Sequence, residues 1–213
     1  MKSLPAGLLI LALFTMSFSA CKKVEPIIPA KKEMLTHNIT VENIVGQGGV
    51  LSQTNKSYIN LYDGLVYTHA EAELVSSKVD FAYNYKGAGC NTCRYFENIL
   101  SISTRTTYVT AFSTITQSEI ANAELHFDVS PIMFENIKTG NDIENRFETH
   151  VDATQLNGHG DINDRVTDVA AGRVFAFIDK VGRKGFFLVS DYLANVPSGD
   201  KATLQLEVKI LKD

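Results

Sequence analysis

The chain has 213 residues, 45% hydrophobic and 21% charged, the size and composition of one globular domain with at most a tail. That excludes a mainly disordered chain, a collagen-like fibre and a disulfide-dense mini-protein. A net charge of −4 argues against nucleic acid, which calls for a basic footprint, and no stretch after the first twenty residues is apolar and long enough to span a bilayer.

Residues 1–20 have the plan of a secretory signal peptide: Lys2 as a short positive region, an apolar run from Leu8 to Phe14, and small residues Ser19 and Ala20 before Cys21. Phe18-Ser19-Ala20-Cys21 resembles a bacterial lipobox, with Phe18 where leucine is commoner. In that reading Cys21 becomes the first mature residue and carries the acyl chains. Each buried CH₂ contributes about 0.8 kcal/mol, so anchoring needs no spanning helix. Residues 21–37, rich in lysine, glutamate and proline and without helical or strand periodicity, are expected to form a tether. The globular domain is expected over 38–213.

From Asn38 the pattern is that of strands. Ile39–Val45 ends at Gly46-Gln47-Gly48-Gly49. Tyr58–Tyr62 and Leu65–Tyr67 flank Asp63-Gly64, a hairpin signal. Val79, Phe81, Tyr83 and Tyr85 alternate with Asp80, Ala82 and Asn84, predicting one apolar strand face. Thr106–Ile115 is rich in strand formers. The middle switches to helix: Thr116 and Glu119 have capping-box spacing before a helix over 117–125. Ser130-Pro131 starts another, to Ile137, with Thr139-Gly140 as its stop. Ile143 and Phe147 share a face of a third, over 142–149. Strands return at Arg173–Ile178 and Gly185–Val189 around a Gly182–Gly185 turn, and at Thr203–Leu211, with Leu204, Leu206, Val208 and Ile210 inward. The expected fold is mostly β to α+β: a single antiparallel, sandwich-like domain with a few short helices between residues 116 and 150.

The lipobox, the short tether and the β-rich body resemble cell-envelope lipoproteins of Bacteroidota. Two stretches carry the likeness: Tyr58–Tyr67 with Ser76–Tyr83, and Gly172–Phe177 through Lys184–Val189 to the terminal strand. The resemblance implies an exported protein on the outer membrane, on its periplasmic or its surface side, and a β-rich fold. It transfers no catalytic residue.

Candidate chemistry is sparse. Cys90 and Cys93 are the only thiols besides Cys21, and an exported pair is expected to close as a local disulfide. A redox motif would open a helix, a c-type haem site would need histidine where Arg94 stands, and zinc would need further ligands, such as His69 or His126. His126 and His150 are the pair to consider for axial haem ligation. Asp161, Asn163 and Asp164 lie in an oxygen-rich loop that suits Ca²⁺ or a solvated turn. Tyr83, Tyr85 and Tyr95 offer an aromatic platform for a glycan or peptide, or the inner face of a sheet. No nucleophile elbow or phosphate-binding loop is present. The expectation is a lipid-anchored envelope protein that binds a ligand or an envelope partner without enzymatic activity and without a resident cofactor. A haem- or metal-capturing lipoprotein is the alternative, and a hydrolase with unassigned acids the third reading.

Overall fold

Ten strands, three α-helices and one 3₁₀ turn make up the described part of the chain. The structure, a computed structural model, describes residues 30–44, 55–85, 94–98, 118–122, 130–150, 165–166, 169–194 and 201–213. The chain divides into a unit over Met1–Ala30 and a unit over Lys31–Asp213, and the second holds all of these elements. The strands are β1 Met34–Ile44, β2 Tyr58–Asn60, β3 Leu65–Tyr67, β4 Phe81–Tyr85, β5 Arg94–Asn98, β6 Glu119–Asn122, β7 Arg165–Val166, β8 Val174–Ile178, β9 Lys184–Ala194 and β10 Lys201–Leu211. The helices are α1 His69–Leu74, α2 Pro131–Glu135 and α3 Gly140–His150.

Two five-stranded antiparallel sheets form, in the orders β1-β10-β9-β8-β6 and β3-β2-β4-β5-β7. At one side β1 lies against β3 and β4, and at the other β6 lies against β7, which gives a sandwich. Alternation puts Leu204, Leu206, Val208 and Ile210 of β10 in the core between the sheets, with Ile39, Val41, Phe175, Phe177, Phe187 and Val189 from the first sheet and Ile59, Phe81, Tyr83 and Tyr85 from the second. Strand β8 is apolar at every position because both its faces are covered: Val174 and Ala176 meet the helical layer, Phe175 and Phe177 the sandwich core. On the outer face of the first sheet, α2 and α3 bury Phe134, Ile137, Ile143 and Phe147 against Phe186 and Leu188. On the outer face of the second, Tyr58, Val79 and Ala82 pack with Ala72 of α1.

The domain is thus β-rich α+β, and every described strand pair is antiparallel. The β2–β3 hairpin turns through Leu61–Gly64, with Gly64 at a φ of 66°, and His37 packs where a Cβ on that glycine would sit. Helix α2 starts at Pro131, with the Ser130 hydroxyl accepting from the N–H of Met133 at 3.4 Å. Ile143 and Phe147 are buried together as their spacing requires.

Several expectations are corrected. Where a helix was expected over 117–125, residues 119–122 instead form β6, paired with β8 in the register Ile120↔Phe177, and 117 and 123–125 lie outside the described residues. Ile120 enters the core there, and the Ser118 hydroxyl donates to Asp80 (3.1 Å). Tertiary pairing overrides the local capping pattern. Thr139-Gly140 does not stop a helix but starts α3: Thr139 Oγ1 accepts from Asp142 N, and Asp142 accepts from Thr139 N at 2.7 Å. Val79 does not share the face of Phe81; the 3₁₀ turn Ser76–Lys78 precedes it, the strand begins at Phe81, and Val79 joins the α1 cluster. Strand β1 begins at Met34, inside the span expected to be tether, and pairs with β10 from Met34↔Leu211 to Ile44↔Lys201. Helix α1 went unexpected, although Thr68 and Glu71 form a reciprocal capping box. The strand expected over Thr106–Ile115 lies outside the described residues.

Candidate functional site

Two surface features stand out, one polar and one charged. The polar one follows from the parity of β10. Its outward positions run Thr203, Gln205, Glu207, Lys209, Leu211, and the helical layer covers only the last two of these. Lys209 Nζ donates to the carbonyls of Phe134 (2.7 Å) and Ile137 (2.9 Å) at the end of α2 and sits 4.3 Å from the Phe134 ring centre. Burial lowers its ammonium pKa. Beyond Lys209 none of the described helices covers the sheet. There Asn38, Thr40, Ser190, Gln205 and Glu207 line a groove of about 340 Å³, with the backbone of Ile39 and Leu206. Three neighbouring strands supply these side chains, in the pairs Asn38↔Glu207 and Thr40↔Gln205. A β-bulge between Gln205 and Leu206 shifts the β9 register across Ser190, whose hydroxyl donates to the Gln205 carbonyl at 3.2 Å. The groove presents amide, hydroxyl and carboxylate groups, a set that recognises a ligand by hydrogen bonds.

The charged feature is the end of the sandwich where the chain passes into β1, the proximal end. Lys32 Nζ pairs with Glu144 (2.7 Å), which also holds Lys184 (3.0 Å). Lys32 N donates to Asn141 Oδ1, and its carbonyl accepts from Gly140 N. A Cβ on Gly140 would lie 2.7 Å from the Lys32 and Glu33 carbonyls, so glycine is what lets α3 approach this strand. Lys212 donates to Glu33 Oε2 at 2.6 Å. Arg183, stacked 3.4 Å from the Tyr62 ring centre, bridges Asp179 (2.6 Å) and Asp213 (2.9 Å). The hydrogen bond from Lys32 holds the Glu144 carboxyl below its usual range. A groove of about 470 Å³ runs between these groups.

Behind this end lies Asp80, 1% exposed, which accepts from Leu61 N (2.9 Å) and Ser118 Oγ (3.1 Å). Burial pushes its carboxyl up to about 6. Lys180 Nζ is buried without a hydrogen-bond partner among the described residues, and its ammonium pKa is lowered by burial against the pull of Asp80 and Asp179.

Of the residues singled out from sequence, Tyr83, Tyr85 and His69 are described with their side chains and line neither groove. Tyr83 and Tyr85 are 0% and 2% exposed on the inner face of β4, so they form core and not an exposed platform. Tyr95 is in β5 and His150 is the last residue of α3, with neither side chain described. His69, considered for zinc, meets Tyr58 Oη through Nδ1 (2.8 Å) and pairs through Nε2 with Glu73 Oε1, which accepts (2.7 Å). Cys21, Cys90, Cys93, His126, Asp161, Asn163 and Asp164 lie outside the described residues. Among the described residues no three metal-ligating side chains gather, and no helix is long and apolar enough to cross a membrane. The polar groove had one readable signal: polar residues on the outward positions of β1 and β10. The bulge that shapes it has none.

No protein-family model matches the chain, and no curated protein does. Among solved structures it is similar to the crystal structure of a DUF4466 family protein from Parabacteroides merdae, at 14% identity and a TM-score of 0.49. The match covers 85% of this chain and 54% of that one, so this chain spans about half of its length.

Proposed function

We propose that the protein is an envelope lipoprotein, acylated at Cys21, whose domain binds a polar ligand or partner without catalysing its conversion. The observation that supports binding is the bare half of the first sheet's outer face. Five hydrogen-bonding side chains from three adjacent strands face outward there beside a bulge, while α2 and α3 cover Lys209 and Leu211 farther along the same face. A rigid sheet carrying polar groups at fixed spacing suits an extended ligand with its own donors and acceptors, such as an oligosaccharide or a peptide.

The test is a titration of the whole protein with glycan and peptide panels, repeated with N38A/Q205A. Binding weakened at least about tenfold, at unchanged melting temperature, supports the reading; that loss corresponds to about 1.4 kcal/mol, the scale of one or two hydrogen bonds. Binding that survives the double substitution, or a turnover product in the mixture, overturns it.

A further inference from the structure

We propose that the proximal end of the domain is a seat for an anionic bilayer surface, so that the domain stands on the membrane in one orientation. The inference deepens the anchored reading above and rests on it for the membrane's nearness.

Charge is distributed unevenly over the chain. Five cations gather at the proximal end: Lys31, Lys32, Arg183, Lys184 and Lys212. Glu33, Glu144, Asp179 and Asp213 are their counter-ions, so these nine groups sum to +1 where the whole chain carries −4. A local excess of cations is attracted to a negative surface. Lys31, Lys32 and Lys212 are exposed, and exposed basic residues are drawn to an anionic leaflet.

The second observation is apolar. The β8–β9 turn projects Val181, 63% exposed, next to Gly182 and Arg183 of the same groove. An exposed branched aliphatic residue beside cations matches the interface of a bilayer, which takes the apolar group at the headgroup boundary and pairs the cations with phosphates. The third is connectivity. Nine residues lie between Cys21 and Lys31, ten steps with a reach of at most roughly 35 Å. The end of the domain that joins this segment is the one that meets the membrane first. An acidic protein partner would satisfy the charge but leaves Val181 and the connectivity without a role.

The chain contains no tryptophan, so one introduced indole reports on one place. The full chain carrying Val181→Trp is reconstituted into vesicles of phosphatidylcholine alone, or of phosphatidylcholine with phosphatidylglycerol. Leu193→Trp, 56% exposed near the far end of β9, serves as the control. Recovery of the chain with phosphatidylcholine vesicles reports on the anchor alone. The seat predicts a blue shift of the indole emission from position 181 when phosphatidylglycerol is present, reversed in 1 M salt, where the Debye length falls to about 3 Å. It predicts no shift at position 193. Adding K31E/K212E should remove at least half of the shift, whereas K56E, beside Glu42 toward the far end of β1, should leave it. Identical emission from position 181 in the two lipids, or an equal shift at 193, overturns the seat even where the anchor holds. A shift on adding anionic vesicles to a chain that phosphatidylcholine vesicles fail to retain overturns the anchor and leaves the seat standing.

Discussion

The outer face of the first sheet has two halves, and β10 runs through both. In one half Lys209 and Leu211 lie under α2 and α3; in the other Gln205 and Glu207 face out of a bare groove. The strand's alternation is the same throughout, so secondary structure does not tell the halves apart. What differs is the layer above. A lysine becomes a buried cap for the α2 carbonyls because a helix ends over it, while a glutamine two outward positions along stays available to a ligand. Covered polar groups should therefore carry stability, and bare ones recognition.

The largest expected effect is on the covered half. Phe186 packs against Phe147 with ring centres 5.1 Å apart and is fully buried. Phe186→Ala should cost about 4 kcal/mol, read as a lower denaturant midpoint at unchanged slope. A loss under about 1 kcal/mol would mean that the helical layer is not packed as described.

A buried charge beyond the helical layer sharpens the comparison. Lys209 has two carbonyl partners, whereas burial dominates Asp80, whose folded pKa is about 6 against an ordinary 3.8. The folded state holds that proton more tightly than the unfolded chain. The associated stability is fully present below about pH 3.8 and is lost as pH rises through about 6, on the order of 3 kcal/mol. Glu144, held low by Lys32 and Lys184, runs the other way and loses stability as pH falls, so the difference between wild type and D80N isolates Asp80. D80N should gain relative to wild type between about pH 4 and pH 7. A flat difference would place Asp80 in a wetter site than its 1% exposure implies.

Lys209→Met keeps the aliphatic stem and removes both hydrogen bonds to the α2 end. The cost should be about 2 kcal/mol, because two buried carbonyls lose their donor. A neutral result would show that water replaces the ammonium there.

Much of this division was legible in the residues, and the rest was not for physical reasons. Period two in Leu204–Ile210 gave the core face of β10 at once, and Ile143 with Phe147 gave the buried stripe of α3. Residues 119–122 read as helix because a capping pattern is local, whereas the pairing of Ile120 with Phe177 joins residues far apart in the chain. Tyr83 and Tyr85 could be platform or core from alternation alone; only the opposite sheet decides. The groove was half visible, as outward polar residues, but the end of the helical layer and the bulge at Ser190 depend on packing that no short motif announces. The proximal end was misjudged for the same reason: lysine, glutamate and proline before Met34 look like free tether, yet Lys32 and Glu33 are tied by backbone and side chain to α3 and to Lys212.

The smallest stability effect is expected where function is placed. Gln205→Ala and Asn38→Ala remove exposed side chains whose strands keep every ladder hydrogen bond, so each should change stability by no more than about 0.5 kcal/mol. Set against the 2 kcal/mol or so expected at Lys209, on the same strand and the same face, that contrast tests the idea directly. If Gln205→Ala destabilised as much as Lys209→Met, the bare half would be structural surface and the groove would lose its claim as a binding site. If stability held and ligand affinity fell, one strand would divide its outward positions between holding a helix and holding a ligand, with the edge of the helical layer as the border.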